Sequence, residues 1–265
     1  IPFKQLPTLH HQIPYFFMVP KDTNLLVQYN KGFCVTQLFQ VYGAGITTAH
    51  DKFVIHKNKE QLKNKFQLFQ NSARNEDKLH NKFDVKKKKG WSILAGYDAL
   101  QQKDTSKLIQ IVSYRPFDNQ HILYEENLVW RTVTKVMKHF SKQNNIGLMV
   151  TKQIKTGFTY QHVFIHNNIV ESSLVSNRTS EIGYSFPLYL HDNQEKKDNT
   201  NINFSMNIIE TISHRLQIPF QNVKPQNNLA FNEMDVFDYI YAILHSPNYR
   251  TKYFEFLRFG FPKIP

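Results

Sequence analysis

Short apolar runs that never settle into a regular strand–helix alternation set the strongest limit on the fold. LIQIVSY, HILY, IGLMV, HVFIH and IGYSFPLYL carry the β-branched and aromatic residues that suit a pleated, half-buried surface. Between them stand stretches with helical spacing. In Lys59–Phe69, Leu62, Phe66 and Phe69 share one side and lysines take the other. Thr132–Lys142 places Val133, Val136, Met137 and Phe140 in one stripe, with Lys135, Lys138 and Lys142 pointing elsewhere. A doubly wound sheet needs β-α-β repeats, and these elements follow no such rhythm. The expected class is α+β: a mixed sheet with flanking helices and a helical C-terminus.

Local signals fill in the rest. IPYFFMVP reads as a strand between prolines, and KDTNLLVQYNKG as a short helix stopped at Gly32. Residues 38–56 suggest two strands flanking a turn at Gly43–Gly45, with KFVIH as the second. WSILAGYDAL reads as a helix, while Pro187 should move IGYSFPLYL to a sheet edge or interrupt it. HDNQEKKDNTNIN, residues 191–203, is polar enough for a mobile loop. Two helices are expected near 205–215 and 235–258.

The chain has 265 residues, 41% apolar and 14% aromatic, enough for a substantial core and against disorder throughout. One domain over 1–265 is expected, either undivided or of two lobes with a break near 191–203. The single cysteine, Cys34, excludes an intrachain disulfide and a cysteine-rich zinc site, and fits a reducing cytoplasm. No apolar run approaches the ~18 residues of a membrane span, and the start lacks a signal-peptide layout. The chain does not begin with Met, which suggests a piece of a longer polypeptide.

Charge is the loudest compositional signal. Thirty-three Lys and Arg against 21 Asp and Glu give +12, with the excess concentrated in residues 51–89 and in the carboxylate-free stretch 131–170. Such blocks suit a polyanion, whose condensed counterions are released as phosphates are neutralised. The alternative is a solvated, lysine-rich surface.

Two stretches invite a catalytic reading. Gly43-Ala44-Gly45 would open a dinucleotide fingerprint, yet Thr48 stands where the third glycine belongs, and ITTAHDKFVIH reads as strand rather than helix. HSPNY, residues 245–249, approaches the tetrapeptide of amino-methylating DNA methyltransferases, but Asn248 replaces its second proline. Ser246 and Pro247 there suit an N-cap and first helical residue. Asp84-Val85-Lys86 is half of a nuclease element and lacks its upstream acid. His162 and His166 share a strand face without a third ligand in view, so no metal site is expected.

Several stretches together resemble a known family. FMVPKDTNLLVQYNKGFCVTQLFQVYGAGITTAHDKF, SYRPFDNQHILY, KVMKHF with NNIGLMV, EIGYSFPLYL and DYIYAILHSPNYRTKYFEFLRFGFPKIP resemble the C-terminal specificity domain of type ISP restriction–modification enzymes. The resemblance implies a target-recognition domain following an N6-adenine methyltransferase domain in one polypeptide, with nuclease and translocase further upstream. Double-stranded DNA and the upstream methyltransferase domain are then the implied partners. S-adenosylmethionine would belong to that upstream domain, with no cofactor in this chain. Gly43, Gly45, Thr47 and Thr48 would form the entry into the domain.

Phosphate contacts position such a domain and base-edge contacts specify the sequence. For phosphate, Lys86, Lys87, Lys88 and Lys89 are favoured, with Lys135, Lys138 and Lys142 as a second track. The alternative for either set is an exposed surface. For base edges the candidates are Arg115, Asn119 and Gln120, then Lys155 and Thr156, then Asn177 and Arg178. Arg115 has a competing packing role, an ion pair with Asp118. Two other functions stay open at this level: a small stand-alone S-adenosylmethionine-dependent methyltransferase, and a basic protein-interaction module.

Overall fold

The structure, a computed structural model, describes residues 22–141, 144–155, 160–175, 181–191, 200–222 and 229–265. The expected strand IPYFFMVP lies outside them. The chain divides into two compact units, one drawn from 1–38, 152–161 and 206–265, the other from 39–151 and 162–205.

The second unit holds two four-stranded sheets. In one, strands Gly43–Ala44, Gly183–Pro187, Gly147–Thr151 and Val163–His166 pair antiparallel in that spatial order. In the other the order is Ile55–His56, Asp118–Leu123, Ile109–Arg115 and Ile169–Val170, with the last pairing parallel and the rest antiparallel. The expected mixed α+β architecture is present. Between the sheets and helices lies a core that includes Phe53, Phe66, Phe69, Val112, Ile122, Met137 and Met149.

Gly45 is where the chain passes from one sheet to the other. Its N–H donates to the Gly183 carbonyl at 3.0 Å, while the Ile46 N–H donates to Val170 at 2.8 Å. The Ser172 N–H returns a bond to the Ile46 carbonyl at 2.8 Å. A Cβ on Gly45 would stand 2.6–2.7 Å from the backbone of Glu171 and Ser172, so only glycine permits this approach.

The expected glycine turn between two strands is therefore corrected: Gly43–Ala44 is itself strand. KFVIH is corrected as well. Asp51–Val54 forms one helical turn, and only Ile55–His56 is extended. Local hydrogen bonds outweigh the β-branched composition here. The Thr48 hydroxyl donates to the Asp51 carboxylate, and the His50 carbonyl accepts from Phe53 and Val54.

Helix Lys59–Gln70 forms as expected, capped by the Asn58 side chain, with Leu62, Phe66 and Phe69 fully buried. Helix Ile93–Leu100 starts at Ser92, whose hydroxyl accepts from the Ala95 N–H. The helix expected over 132–142 shrinks to Thr134–Met137: left-handed Val133, φ 48°, keeps it from starting earlier, and the chain runs on as turn after Met137. Its apolar stripe survives, as Val136, Met137 and Phe140 are buried. Lys142 lies outside the described residues.

Pro187 interrupts rather than marginalises its strand. Gly183–Pro187 has a neighbour on each side, and the chain then turns at Leu188 into Tyr189–His191. That segment pairs antiparallel with Thr200–Ile202, while most of the expected 191–203 loop lies outside the described residues.

In the other unit, strand Phe33–Cys34 pairs with Lys263–Ile264. Helix Thr23–Asn30 is capped by Asp22, and its Tyr29 ring stacks on Phe256 at 5.1 Å. Helix Met206–Leu216 precedes Glu233–His245, which opens with a reciprocal Asn232–Asp235 capping box. HSPNY is a capped junction as expected. Ser246 Oγ accepts from the Tyr249 N–H at 3.4 Å, and Pro247 is the first residue of helix Pro247–Lys252. A final turn, Phe254–Leu257, completes what the sequence suggested as one long helix.

Candidate nucleic-acid interface

The lysine run sits in a turn between two helices. Helix Glu76–Phe83, which the sequence pattern did not announce, ends at Asp84 in the left-handed region, φ 51°. Val85 is buried and its N–H donates to the His80 carbonyl at 3.0 Å. On the far side the Trp91 N–H donates to the Lys88 carbonyl, and its indole N–H to the Leu128 carbonyl, both at 3.1 Å. Lys86, Lys87, Lys88 and Lys89 are thus exposed on a turn pinned at each end.

Their environments differ. Lys87 pairs with Asp77 at 3.0 Å, and Lys88 Nζ stands 4.2 Å from the centre of the Trp130 ring. Among the described residues Lys86 and Lys89 have no carboxylate partner. Lys86, Lys87 and Lys88 line an open cleft of about 440 Å³ with Asp84 and residues Ala49–Phe53, Lys52 included. His50, against Trp91 at 4.5 Å, has its pKa lowered by burial and then by Lys88, so the imidazole adds no charge at neutral pH.

Arg115 is a brace. Its guanidinium donates to Glu171 at 2.7 Å and to the Tyr114 carbonyl at 2.6 Å, and lies 3.9 Å over the Tyr114 ring. Asp51 stands 3.8 Å away and accepts from the Tyr114 hydroxyl at 2.7 Å. The sequence pairing with Asp118 is corrected, since Asp118 accepts from Gln120 Nε2 at 2.8 Å. Glu171 also accepts from the Ser173 N–H and the Ser172 hydroxyl, which lies 3.3 Å from Thr47 Oγ1. Burial raises the pKa of Glu171 despite the arginine beside it.

One polar network therefore ties Thr47 and Thr48 of the entry motif to Arg115 of the YRPFDNQ stretch. The Arg115 side chain is 24% exposed and that of Glu171 only 6%. Gly43, at the start of the entry motif, faces Val136.

The other candidates are dispersed. Asn119 is exposed and accepts from Ser113 Oγ at 3.0 Å, whereas Gln120 is buried. Lys135 is exposed and Lys138 half-buried. Lys155 is exposed and belongs to the other unit. Thr156, Asn177 and Arg178 lie outside the described residues. Sequence reasoning passed over Lys52, His50, Trp91, Trp130 and the tip residue Phe117. Only the proximity of Lys52 to the entry motif offered a signal.

Among the described residues no group of three or more His, Cys, Asp or Glu is placed to hold a metal ion. No helix there is long and apolar enough to cross a membrane.

The sequence matches the Type ISP C-terminal specificity domain over residues 37–265. The chain belongs to that family. No curated protein matches it. Solved structures share the specificity domain's fold at low identity. A chain of the DrdV–DNA complex, seen by cryo-electron microscopy, superposes with a TM-score of 0.61 at 20% identity, over 86% of this chain and 21% of that one. The ATP-dependent Type ISP restriction-modification enzyme LlaBIII bound to DNA gives 0.64 at 17%, over 89% and 15%. A nuclease-deletion mutant of the Type ISP enzyme LlaGI, in complex with a DNA substrate mimic, gives 0.59 at 16%, over 90% and 21%. The specificity domain thus spans about a fifth or less of the chains it matches.

Proposed function

We propose that this chain is the target-recognition part of a longer restriction–modification polypeptide and grips duplex DNA in a sequence-dependent way. The family match over 37–265 carries this reading. The pinned lysine turn gives it a physical basis, since exposed ammonium groups beside a cleft suit phosphate oxygens. Relatives of the same fold were solved on DNA.

On this reading the chain is not catalytic. An upstream domain of the parent binds S-adenosylmethionine and methylates adenine N6, and the whole works in the cytoplasm. Lys86, Lys88 and Lys89, with Lys52, Lys135 and Lys138, hold phosphates. Exposed Asn119 and Lys155 are the best placed of the described base-reading candidates. Arg115 acts on Asn119 by bracing the hairpin that carries it.

The test is fluorescence anisotropy of this chain with duplex DNA across a salt series. Affinity should fall steeply, with log K against log salt sloping by about −0.9 per phosphate neutralised. Absence of binding at low salt, or binding indifferent to salt, would refute the proposal. Calorimetric titration with S-adenosylmethionine should show no saturable heat; saturation would favour a stand-alone methyltransferase.

A further inference from the structure

Resting on the DNA-binding reading, we infer that Phe117 is an apolar wedge that enters the base stack of the bound duplex. Phe117 stands at the tip between strands Ile109–Arg115 and Asp118–Leu123, and the residue is 102% exposed. Its backbone is left-handed, φ 61°, a conformation disfavoured for a bulky L-residue. The two-residue turn Pro116–Phe117 calls for that backbone, but neither packing nor solubility accounts for a large apolar group held fully in water there. Strain of this kind collects where a side chain must be aimed.

The tip is aimed by a stiff base. The pairing register shifts between Ser113 and Arg115, a bulge next to the turn. Arg115 is then clamped by Glu171, by the Tyr114 carbonyl and by stacking on the Tyr114 ring. Asp51 accepts from Tyr114 and also lines the cleft with Lys52, Lys86 and Lys88, so one carboxylate joins the hairpin base to the lysine turn.

A protein partner would favour a contiguous apolar patch. Phe117 and the adjoining exposed Pro116 are instead bounded in the chain by the Arg115–Glu171 pair on one side and by Asp118 and exposed Asn119 on the other. A single aromatic at the tip of a hairpin whose base shares Asp51 with the lysine-lined cleft suits a base step, where an inserted ring partially unstacks the duplex.

The experiment uses this chain with a randomised duplex pool at low salt. In Phe117→Trp, the added tryptophan emission, taken as the difference from the parent with Trp91 and Trp130, should be quenched at least about twofold. The midpoint should match that of the anisotropy titration. Phe117→Ala should weaken binding roughly five- to a hundredfold, the range expected for one lost stacking contact. Phe117→Gly should weaken binding similarly while raising Tm, because it relieves the left-handed backbone. Unchanged emission at saturation, together with Phe117→Ala binding like the parent, would overturn the wedge. Failure of the parent itself to bind duplex would instead defeat the DNA reading on which the wedge rests.

Discussion

Arg115 and Glu171 depend on one another in a way that fixes what a mutation there can report. Arg115→Ala would leave a nearly buried carboxylate without its cation, a loss on the order of 3–5 kcal/mol in urea unfolding. Burial already raises the Glu171 pKa, and removing the arginine would raise it further. The deficit is therefore greatest above the variant's further-raised value. It shrinks as pH falls through the raised folded value towards the ordinary carboxyl range, where both states are protonated. Unfolding of parent and variant at pH 7.5 and pH 5 should show the gap narrowing; a gap independent of pH would disprove the coupling. DNA affinity measured on this variant must be read against its stability. Arg115 was legible as important from its motif, but its partner was not. Glu171 lies 56 residues away in sequence and meets it only through the parallel pairing of strands Ile109–Arg115 and Ile169–Val170.

At the scale of elements, the lysine turn behaves as four different cations. Lys86→Ala and Lys89→Ala should each cut the salt slope of DNA binding by about one. Lys87→Ala should change it less, because Asp77 competes for that ammonium. Equal slopes for all four single variants would contradict this division. Such differences lie outside a linear reading, in which KKKKG is uniform. Helix Lys59–Gln70 was legible because its buried residues repeat at helical spacing and Asn58 caps it. Helix Glu76–Phe83 was not, since Leu79 and His80 alone are buried and two residues set no period. The Thr134–Met137 helix was over-read because the apolar stripe persists after the helix has stopped, carried by turns that keep Phe140 inside.

Over the whole molecule, the class of fold was readable from the irregular order of strands and helices, but the passage at Gly45 between two sheets was not. It depends on Gly183, Val170 and Ser172, all more than a hundred residues distant and invisible to local pattern. Long-range closure shapes the other unit too. A polypeptide ending at residue 205 should keep the fold of 39–151 with 162–205 while Phe33–Cys34 loses its partner. Cys34, half-buried in the intact chain, should then react with a thiol reagent at least about tenfold faster, approaching the rate of an exposed cysteine. Unchanged labelling would show that the strand pair is dispensable. The chain crosses between its two units four times, after 38, 151, 161 and 205. Growing from the ribosome, one unit can close while the other still waits for its last strand, so synthesis imposes an order of assembly. Inheritance meets the same constraint, because no single recombination crossover can exchange one unit for a foreign version and leave the other whole.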